Sequence, residues 1–193
     1  MTRENISLQD SDALLVVDPQ NDFCPGGALP IPQGDQVIPV INTWIRAALS
    51  RGIPVYCSRD FHPREHPSFQ EQGGPWPQHC IQDTWGAGFH PHLEVPEQAR
   101  LVTKGVRFDM DQNSVFQETG LISRLERDGT KRLVVMGLAL DVCVRASVLD
   151  GLKSGFEMLV ILDGCRAVTE ESGQEAIREM EEAGAICSSG AST

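Results

Sequence analysis

Six short apolar runs, each rich in β-branched residues, alternate along the chain with segments of helical periodicity. The runs cover residues 13–18, 53–60, 99–104, 132–138, 157–163 and 185–189. Continuous apolar runs of this length are typical of strands that are buried on both faces of a sheet. Strands that alternate with helices over short connections usually pair in parallel. The sequence therefore predicts an α/β fold with a doubly wound, mostly parallel sheet of about six strands and helices on both faces.

Three of the segments between the strands carry one apolar face at the spacing of an α-helix. The three predicted faces consist of Val37, Ile41, Trp44, Ile45 and Ala48, then of Val144, Val148 and Leu152, and then of Ala176, Ile177 and Met180. A glycine follows each of four predicted helices, where a helix C-terminus favours glycine. These glycines are Gly52, Gly129, Gly155 and Gly184.

The size of the chain is that of one large or two small domains. With 193 residues, of which 40% are hydrophobic, it can bury one substantial core, so we expect a single domain over residues 1–193. One connection is long: residues 60–97 are rich in proline, glycine, histidine and tryptophan. Because a loop of this length in a compact domain is usually functional, we expect an inserted loop that carries a site.

The charge of the chain excludes several classes of partner. Lysine and arginine total 16 against 27 acidic residues, a formal net charge of −11, which argues against a nucleic-acid or anionic-membrane partner. The polar start MTRENISLQDSD has no apolar leader, and no apolar run approaches the roughly 20 residues of a membrane span, so we expect a cytoplasmic protein. The six cysteines show no paired spacing and are expected to be mostly free thiols.

A nucleotide cofactor is not expected from the glycine pattern. Neither G-x-G-x-x-G nor G-x-x-x-x-G-K-[ST] occurs in the chain, although these spacings are what the phosphate-binding turns of such folds require. The PGG segment at 25–27 follows the first strand but has neither spacing, and it predicts a turn. A small-molecule ligand that is not a nucleotide remains open.

Chemically reactive residues follow the ends of the predicted strands. The first three strands end at Asp18, Asp60 and Lys104, and the fourth leads through GLALD to Cys143. In an open parallel sheet, ligands bind beyond the carboxyl ends of the strands. Two carboxylates, one amine and one thiol are therefore predicted at the same edge of the sheet.

Cys143 has the position of a nucleophile at the start of a helix. If the helix begins near Asp141, its first-turn N–H groups and the positive end of its dipole stabilise a thiolate, and the same N–H groups can hold an oxyanion. Asp18 is then the candidate base, and Lys104 keeps it ionised. Each residue alone also has an ordinary explanation: a small buried cysteine, an aspartate in a turn before Pro19, and a solvated surface lysine.

All five histidines lie in the long loop, at positions 62, 66, 79, 90 and 92. Asp60 and His62 stand two residues apart, so that on an extended strand end their side chains share a face. His79 or His66 could complete a set of nitrogen and oxygen ligands for a metal ion. Histidines of a polar loop are also often only solvated, and the D-x-H spacing alone is a weak signal.

Two aromatic residues adjoin the candidate reactive groups. Phe23 lies shortly after Asp18, and Trp76 lies shortly before His79. Both side chains could belong to the core, which is the usual place of an aromatic residue. Both could instead form the flat walls of a pocket for a planar ring.

The chain resembles the nicotinamidase (pyrazinamidase) branch of the isochorismatase-like cysteine hydrolases over nearly its whole length. The segments that carry the resemblance are VVDPQNDFCPGGAL, SRDFHPREHPSF, GGPWPQHC, KG after the third strand, GLALDVCV and DGCRAV. The resemblance implies hydrolysis of nicotinamide to nicotinate and ammonia through a cysteine thioester, in NAD salvage, with pyrazinamide as a further substrate. It implies a Cys, Asp and Lys triad at Cys143, Asp18 and Lys104.

The same resemblance implies the remaining parts of the site. It implies metal ligands at Asp60, His62 and His79, with His66 where some members place an additional histidine ligand. The pyridine ring would lie between Phe23 and Trp76, with its nitrogen on the metal. The oxyanion donors would be the backbone N–H groups of Ala139 and Cys143, and a cis peptide would precede Ala139. Homo-oligomers are known in the family, so a homo-oligomer is one expectation.

Three points stay open at this level. Carboxylate and imidazole ligands suit zinc, iron and manganese alike. The pattern therefore predicts one divalent metal ion but does not identify the metal. Many members have a small hydroxyl residue where this chain has Leu140, which removes any hydrogen bond of that hydroxyl. The alternative functions are an amidohydrolase of the same superfamily that acts on a ureido or carbamoyl substrate, and a binding module or thiol redox sensor without catalytic activity.

Overall fold

The structure, a computed structural model, describes residues 6–190 and contains one parallel sheet of six strands. The strands are β1 (Asp12–Val17), β2 (Val55–Asp60), β3 (Arg100–Lys104), β4 (Arg132–Leu138), β5 (Glu157–Arg166) and β6 (Ile186–Ser188). Their order in the sheet is β3-β2-β1-β4-β5-β6. The chain thus winds outward from β1 in one direction and then from β4 in the other. This confirms the doubly wound parallel sheet that the alternating apolar runs predict.

Four α-helices cover the sheet. They are α1 (Val37–Ser50), α2 (Leu121–Arg127), α3 (Arg145–Lys153) and α4 (Glu170–Glu182). Right-handed connections place α1 on one face and the other three helices on the opposite face. In agreement, α1 contacts β1, β4 and β5, whereas α3 contacts α4 and β5.

The predicted helix faces and helix ends agree with the structure. All five residues predicted for the first face are buried in α1. Val148 is buried in α3, Ala176 and Met180 are buried in α4, and Val144 is buried in the turn just before α3. Leu152 and Ile177 are partly buried against the same core. Each of the four predicted glycines lies two residues after the end of a helix and has a positive φ, between 69° for Gly52 and 107° for Gly184. A left-handed residue at this point ends a helix, and glycine adopts it without strain.

The long connection between β2 and β3 runs over the carboxyl ends of the strands. Within it, a short 3₁₀ turn covers Gln70–Gln72, and isolated bridges pair His62 with Ile81 and Phe69 with Trp76. The prediction of one domain over 1–193 with a metal-binding insertion at 60–97 stays a prediction. Its first five and last three residues lie outside the described residues.

The described part of the chain agrees with the expectation of free thiols. All six cysteines are free thiols. Within residues 6–190, every helix is too short or too polar to cross a membrane.

Gly137 pairs with Val17 in the register of β4 and β1, just before the turn that carries Cys143. Its φ is +137°, and a Cβ atom on it would lie 2.0 Å from the carbonyl oxygen of Val17. The obstructing atom belongs to the backbone of a central strand and cannot move aside. Gly137 is therefore required by space as well as by conformation.

We expect Gly137→Ala to lower the free energy of unfolding by about 3 kcal/mol or more, because overlap with the β1 backbone adds to conformational strain. Gly155→Ala is the matched control: its φ is +88°, and nothing lies within 4 Å of the new Cβ. The control should lose only about 1 to 2 kcal/mol from strain. Urea unfolding measures both variants, and equal losses would show that space at Gly137 does not matter.

Candidate active site

Lys104 is the centre of the polar cluster at the carboxyl edge of the sheet. Its side chain is fully buried, so the alternative of a solvated surface lysine is wrong. Its Nζ lies 2.6 Å from Oδ1 of Asp60, 2.8 Å from Oδ2 of Asp18 and 3.4 Å from Sγ of Cys143. The structure therefore brings together the four residues that the strand ends predicted.

The pairing of the strands explains why these side chains meet. Asp60 and Lys104 are direct neighbours in the register of β2 and β3, at the last residue of each strand. β1 pairs with β2 on the side opposite β3, and Asp18 directly follows the last residue of β1. Because the three strands are parallel, their ends deliver the amine and both carboxylates to one point.

Asp18 is fully buried and has a positive φ of 46°, which is uncommon for a residue other than glycine. The Ser58 hydroxyl donates to its Oδ1 at 2.6 Å and accepts from its backbone N–H at 3.2 Å. The sequence analysis missed Ser58. A signal was available, because Ser58 stands two residues before Asp60 on β2 and so shares its face of the strand.

Cys143 lies in a single π-helical turn, Leu140–Val144, between β4 and α3. The sequence predicted a helix start near Asp141, and the structure places a wider turn there before the α-helix begins at Arg145. The carbonyl of Ala139 accepts hydrogen bonds from the N–H groups of Val142 and Val144. A cis peptide joins Leu138 to Ala139, as the family resemblance implies.

The ionisable groups of this cluster influence one another strongly. Burial raises the pKa of the Cys143 thiol, and the Asp18 and Asp60 carboxylates raise it further against the opposing effect of Lys104. Burial also raises the pKa of Asp18, although the Lys104 ammonium lowers it. Burial lowers the pKa of Lys104, but Asp18 and Asp60 outweigh it, so this pKa lies well above its usual value. The Lys104 ammonium therefore stays charged, while the thiol and Asp18 both hold a proton more readily than usual.

A second cluster adjoins the first through Asp60. Donor atoms of Asp60, His62 and His79 lie within 4.8 Å of one another, and all three residues are buried. Nδ1 of His62 donates to the carbonyl of Gly105 at 2.7 Å, and Nδ1 of His79 donates to the carbonyl of Pro77 at 2.8 Å. Because a carbonyl can only accept, both rings keep Nε2 free as a ligand atom.

His66 supports the fit of this cluster to a metal ion. Its ring stacks on that of His62 with centroids 4.0 Å apart, and its buried Nε2 has no hydrogen-bond partner among the described residues. Its Nδ1 is hydrogen-bonded to the Ser68 hydroxyl at 2.7 Å. Burial lowers the pKa of His66 to about 4, which keeps the ring neutral. Its donor atoms lie outside the group formed by Asp60, His62 and His79.

Two side chains that the sequence analysis missed fix the long loop against the strand ends. The Asp22 carboxylate accepts from the N–H groups of Cys80, at 2.7 Å, and Ala28, at 2.9 Å. The Gln20 amide accepts from the N–H of Asp60 at 2.8 Å and donates to the carbonyl of Asp60 at 2.7 Å. The loop residue next to His79 and the backbone of Asp60 are therefore both held by the segment after β1.

A cavity of about 410 Å³ opens onto both clusters. Cys143 lines it together with Asp60, His62 and His79. The predicted ring walls Phe23 and Trp76, four further apolar side chains, and Ser68, Asp111, Asn113 and Ala139 complete its lining. Asp111 and Asn113 come from the loop after β3 and were not predicted, because nothing in their spacing sets them apart. The pocket suits a small, largely apolar ring that carries one polar group.

Comparisons with known proteins agree with this geometry. Residues 12–192 match the Isochorismatase domain family. The nicotinamidase of Escherichia coli (strain K12) is 41% identical to this chain, over 90% of the chain and 92% of that protein.

Two solved structures resemble this one closely. The pyrazinamidase of Pyrococcus horikoshii in complex with zinc has a TM-score of 0.90 and 42% identity, over 93% of this chain and 99% of that one. PnC1 from L. infantum in complex with nicotinate has a TM-score of 0.89 and 31% identity, over 96% of each chain. The chain belongs to the isochorismatase family, and its relatives there include nicotinamidases and pyrazinamidases.

Proposed function

We propose that this protein is a nicotinamidase, which hydrolyses nicotinamide to nicotinate and ammonia and also accepts pyrazinamide. The observation that carries the proposal is the Lys104 ammonium in contact with Asp18, Asp60 and Cys143 behind a small pocket. The E. coli nicotinamidase at 41% identity supports the same substrate. Release of nicotinate belongs to the salvage of pyridine nucleotides.

The reaction begins with a proton transfer. Asp18 accepts the proton of the Cys143 thiol, and the thiolate attacks the carboxamide carbon of the substrate. The Lys104 ammonium donates to the sulfur, which offsets the charge that develops in the buried site. The backbone N–H groups of Ala139 and Cys143 stabilise the oxyanion of the tetrahedral intermediate.

Three further proton transfers complete the cycle. Asp18 returns its proton to the amide nitrogen, ammonia leaves, and a thioester forms on Cys143. Asp18 then takes a proton from a water molecule that attacks the thioester, and it returns this proton to the expelled thiolate, which restores the free thiol as nicotinate leaves. Lys104 keeps its charge throughout, because its pKa lies well above its usual value.

The remaining residues bind the substrate. Phe23 and Trp76 face the pocket as flat walls for the pyridine ring. Asp60, His62 and His79 would hold one divalent metal ion, which when bound would supply a Lewis acid for the ring nitrogen. Zinc, iron and manganese all suit these ligands, and the zinc in the P. horikoshii pyrazinamidase supports zinc.

Cys143→Ala should abolish nicotinamide turnover and leave the fold and the metal content unchanged, because only the nucleophile is removed. Ammonia release, circular dichroism and metal analysis measure the three properties. Cys187→Ala is the matched control, since Cys187 lies partly exposed on the distant edge strand β6. Turnover by Cys143→Ala close to the wild-type rate would contradict the mechanism.

Asp18→Asn should fold normally and lose activity by about 100- to 10,000-fold, because the amide keeps the shape of the carboxylate but cannot accept the thiol proton. Steady-state kinetics with nicotinamide measure the loss. Thermal melting and metal content serve as controls for the fold. A folded variant that loses less than about tenfold would place the general base elsewhere.

The metal site predicts a selective loss of the pyridine substrate. His79→Ala should lose bound metal and weaken nicotinamide hydrolysis more than benzamide hydrolysis, because benzamide has no ring nitrogen for the metal to contact. Metal analysis and the two substrates test this directly. His92→Ala, in the same loop but exposed, should keep both properties.

One result would favour the alternative activity. If the wild-type protein were metal-free and hydrolysed benzamide as fast as nicotinamide, the metal would have no role in recognition. An amidohydrolase of ureido or carbamoyl substrates would then fit the site better.

A further inference from the structure

Ser58 forms a closed pair of hydrogen bonds with Asp18. Its hydroxyl oxygen accepts from the backbone N–H of Asp18 at 3.2 Å, and its O–H donates to Oδ1 of the same residue at 2.6 Å. Both side chains are fully buried, so no solvent competes for these bonds. Ser58 thus fixes the backbone and the side chain of Asp18 relative to each other.

The two carboxylate oxygens of Asp18 differ in their hydrogen-bond partners. Oδ1 is the acceptor for Ser58. Oδ2 lies 2.8 Å from Nζ of Lys104, but it accepts no well-aligned hydrogen bond from the part of the chain that the structure describes. The aligned hydrogen bonds of the Lys104 ammonium go instead to Asp60 and to Cys143. Ser58 therefore engages one lone pair of Oδ1, whereas Oδ2 has no aligned donor among the described residues.

We propose that Ser58 is a positioning residue for the general base Asp18. By holding Oδ1 of Asp18, Ser58 orients Oδ2 to accept the proton of the Cys143 thiol. In this step the S–H bond of Cys143 breaks, a bond forms between Oδ2 and the proton, and the sulfur keeps the electron pair. The inference deepens the proposed function and rests on it.

The closed pair also explains why the proton goes to Oδ2 and not to Oδ1. A proton on Oδ1 would weaken the hydrogen bond from the Ser58 O–H, because a protonated oxygen is a poorer acceptor than a carboxylate oxygen. A proton on Oδ2 leaves both Ser58 hydrogen bonds intact through every step. The base can therefore accept and return its proton without reorganising a buried group, as preorganised sites do.

The backbone of Asp18 makes this restraint necessary. Its φ of 46° lies in the left-handed region, which costs free energy for any residue with a Cβ. The N–H of Gln20 bonds to the carbonyl of Asp18 at 2.8 Å, and Ser58 bonds to its N–H. Without the Ser58 hydroxyl, Lys104 still contacts Oδ2, but Oδ1 loses its hydrogen bond and the carboxylate is less restrained about its χ angles.

The test compares two substitutions at neighbouring positions of β2. Ser58→Ala and Cys57→Ala each remove one heteroatom from a fully buried side chain, but the two side chains point to opposite faces of the sheet. Ser58→Ala should lower kcat for nicotinamide by about 10- to 100-fold and leave KM within about twofold, since it misplaces the base without touching the substrate. Cys57→Ala should keep kcat within about threefold of the wild type.

Ser58→Thr supplies the conservative rescue, because it keeps the hydroxyl and suits a strand. Its kcat should return to within about threefold of the wild-type value. The bound metal per chain should stay constant in all variants. A constant metal content would show that the loss of kcat does not come from a displaced Asp60, two residues away. If Ser58→Ala does not fold, Ser58→Cys replaces it: its thiol donates weakly, and kcat should fall about tenfold.

Each other outcome overturns the inference. Wild-type kcat in a folded Ser58→Ala or Ser58→Cys variant would contradict it, as would a folded Ser58→Thr variant that remains as slow as Ser58→Ala. An equal loss in Cys57→Ala would show a general effect on β2. If the wild-type protein released no ammonia from nicotinamide, both this inference and the proposed function would be wrong. If the wild-type protein is active and the Ser58 variants behave otherwise than expected, only the inference about Ser58 is wrong.

Discussion

The buried ammonium of Lys104 is the interaction on which the arrangement of this site depends. A charge that is taken fully out of water costs several kcal/mol unless it is closely paired. Lys104 is paired with Asp18 and Asp60, at 2.8 and 2.6 Å, and each partner belongs to a different strand end. Removing Lys104 would leave two buried carboxylates without their cation. The same contacts that bring the catalytic groups together therefore also fix the relative positions of the ends of β1, β2 and β3.

Asp60 connects the catalytic group to the metal-binding group. Its Oδ1 contacts Lys104 at 2.6 Å, and its Oδ2 lies 3.7 Å from Nε2 of His62. Burial alone would raise the pKa of Asp60, but Lys104 and His62 hold it below its usual range, so the carboxylate stays ionised. One carboxylate thus compensates Lys104 with one oxygen and faces the histidines with the other. This single side chain therefore fixes the separation between Lys104, which contacts Cys143, and the histidine cluster.

Periodicity and strand ends predict most of the fold and part of the site, because both are local properties of the sequence. The six strands, the helix faces and the glycines that end the helices follow from such patterns. Asp18, Lys104 and Cys143 are predictable as residues at strand ends, but the burial of Lys104 is not, since it depends on the neighbouring strands. Ser58 lies inside the apolar run of β2, where a serine resembles core. The π-helical turn at Cys143 escapes prediction because a period of 3.6 residues does not reveal one inserted residue.

The long loop is needed because the strand ends of the parallel sheet position Asp60 and His62 but not His79. Strand ends deliver Asp60 and, just beyond it, His62, but a third ligand must return from elsewhere to the same point. His79 reaches it because Asp22 holds the N–H of the adjacent Cys80, whose own carbonyl accepts from the N–H of His62 at 2.9 Å. Cys80 has a positive φ of 45°, a strained conformation that these two bonds stabilise. A long loop costs entropy only slowly as it lengthens, so a few buried anchors are enough to order it. The loop is long because it must turn back to the sheet edge, and it is ordered because its return is hydrogen-bonded to the segment that follows β1.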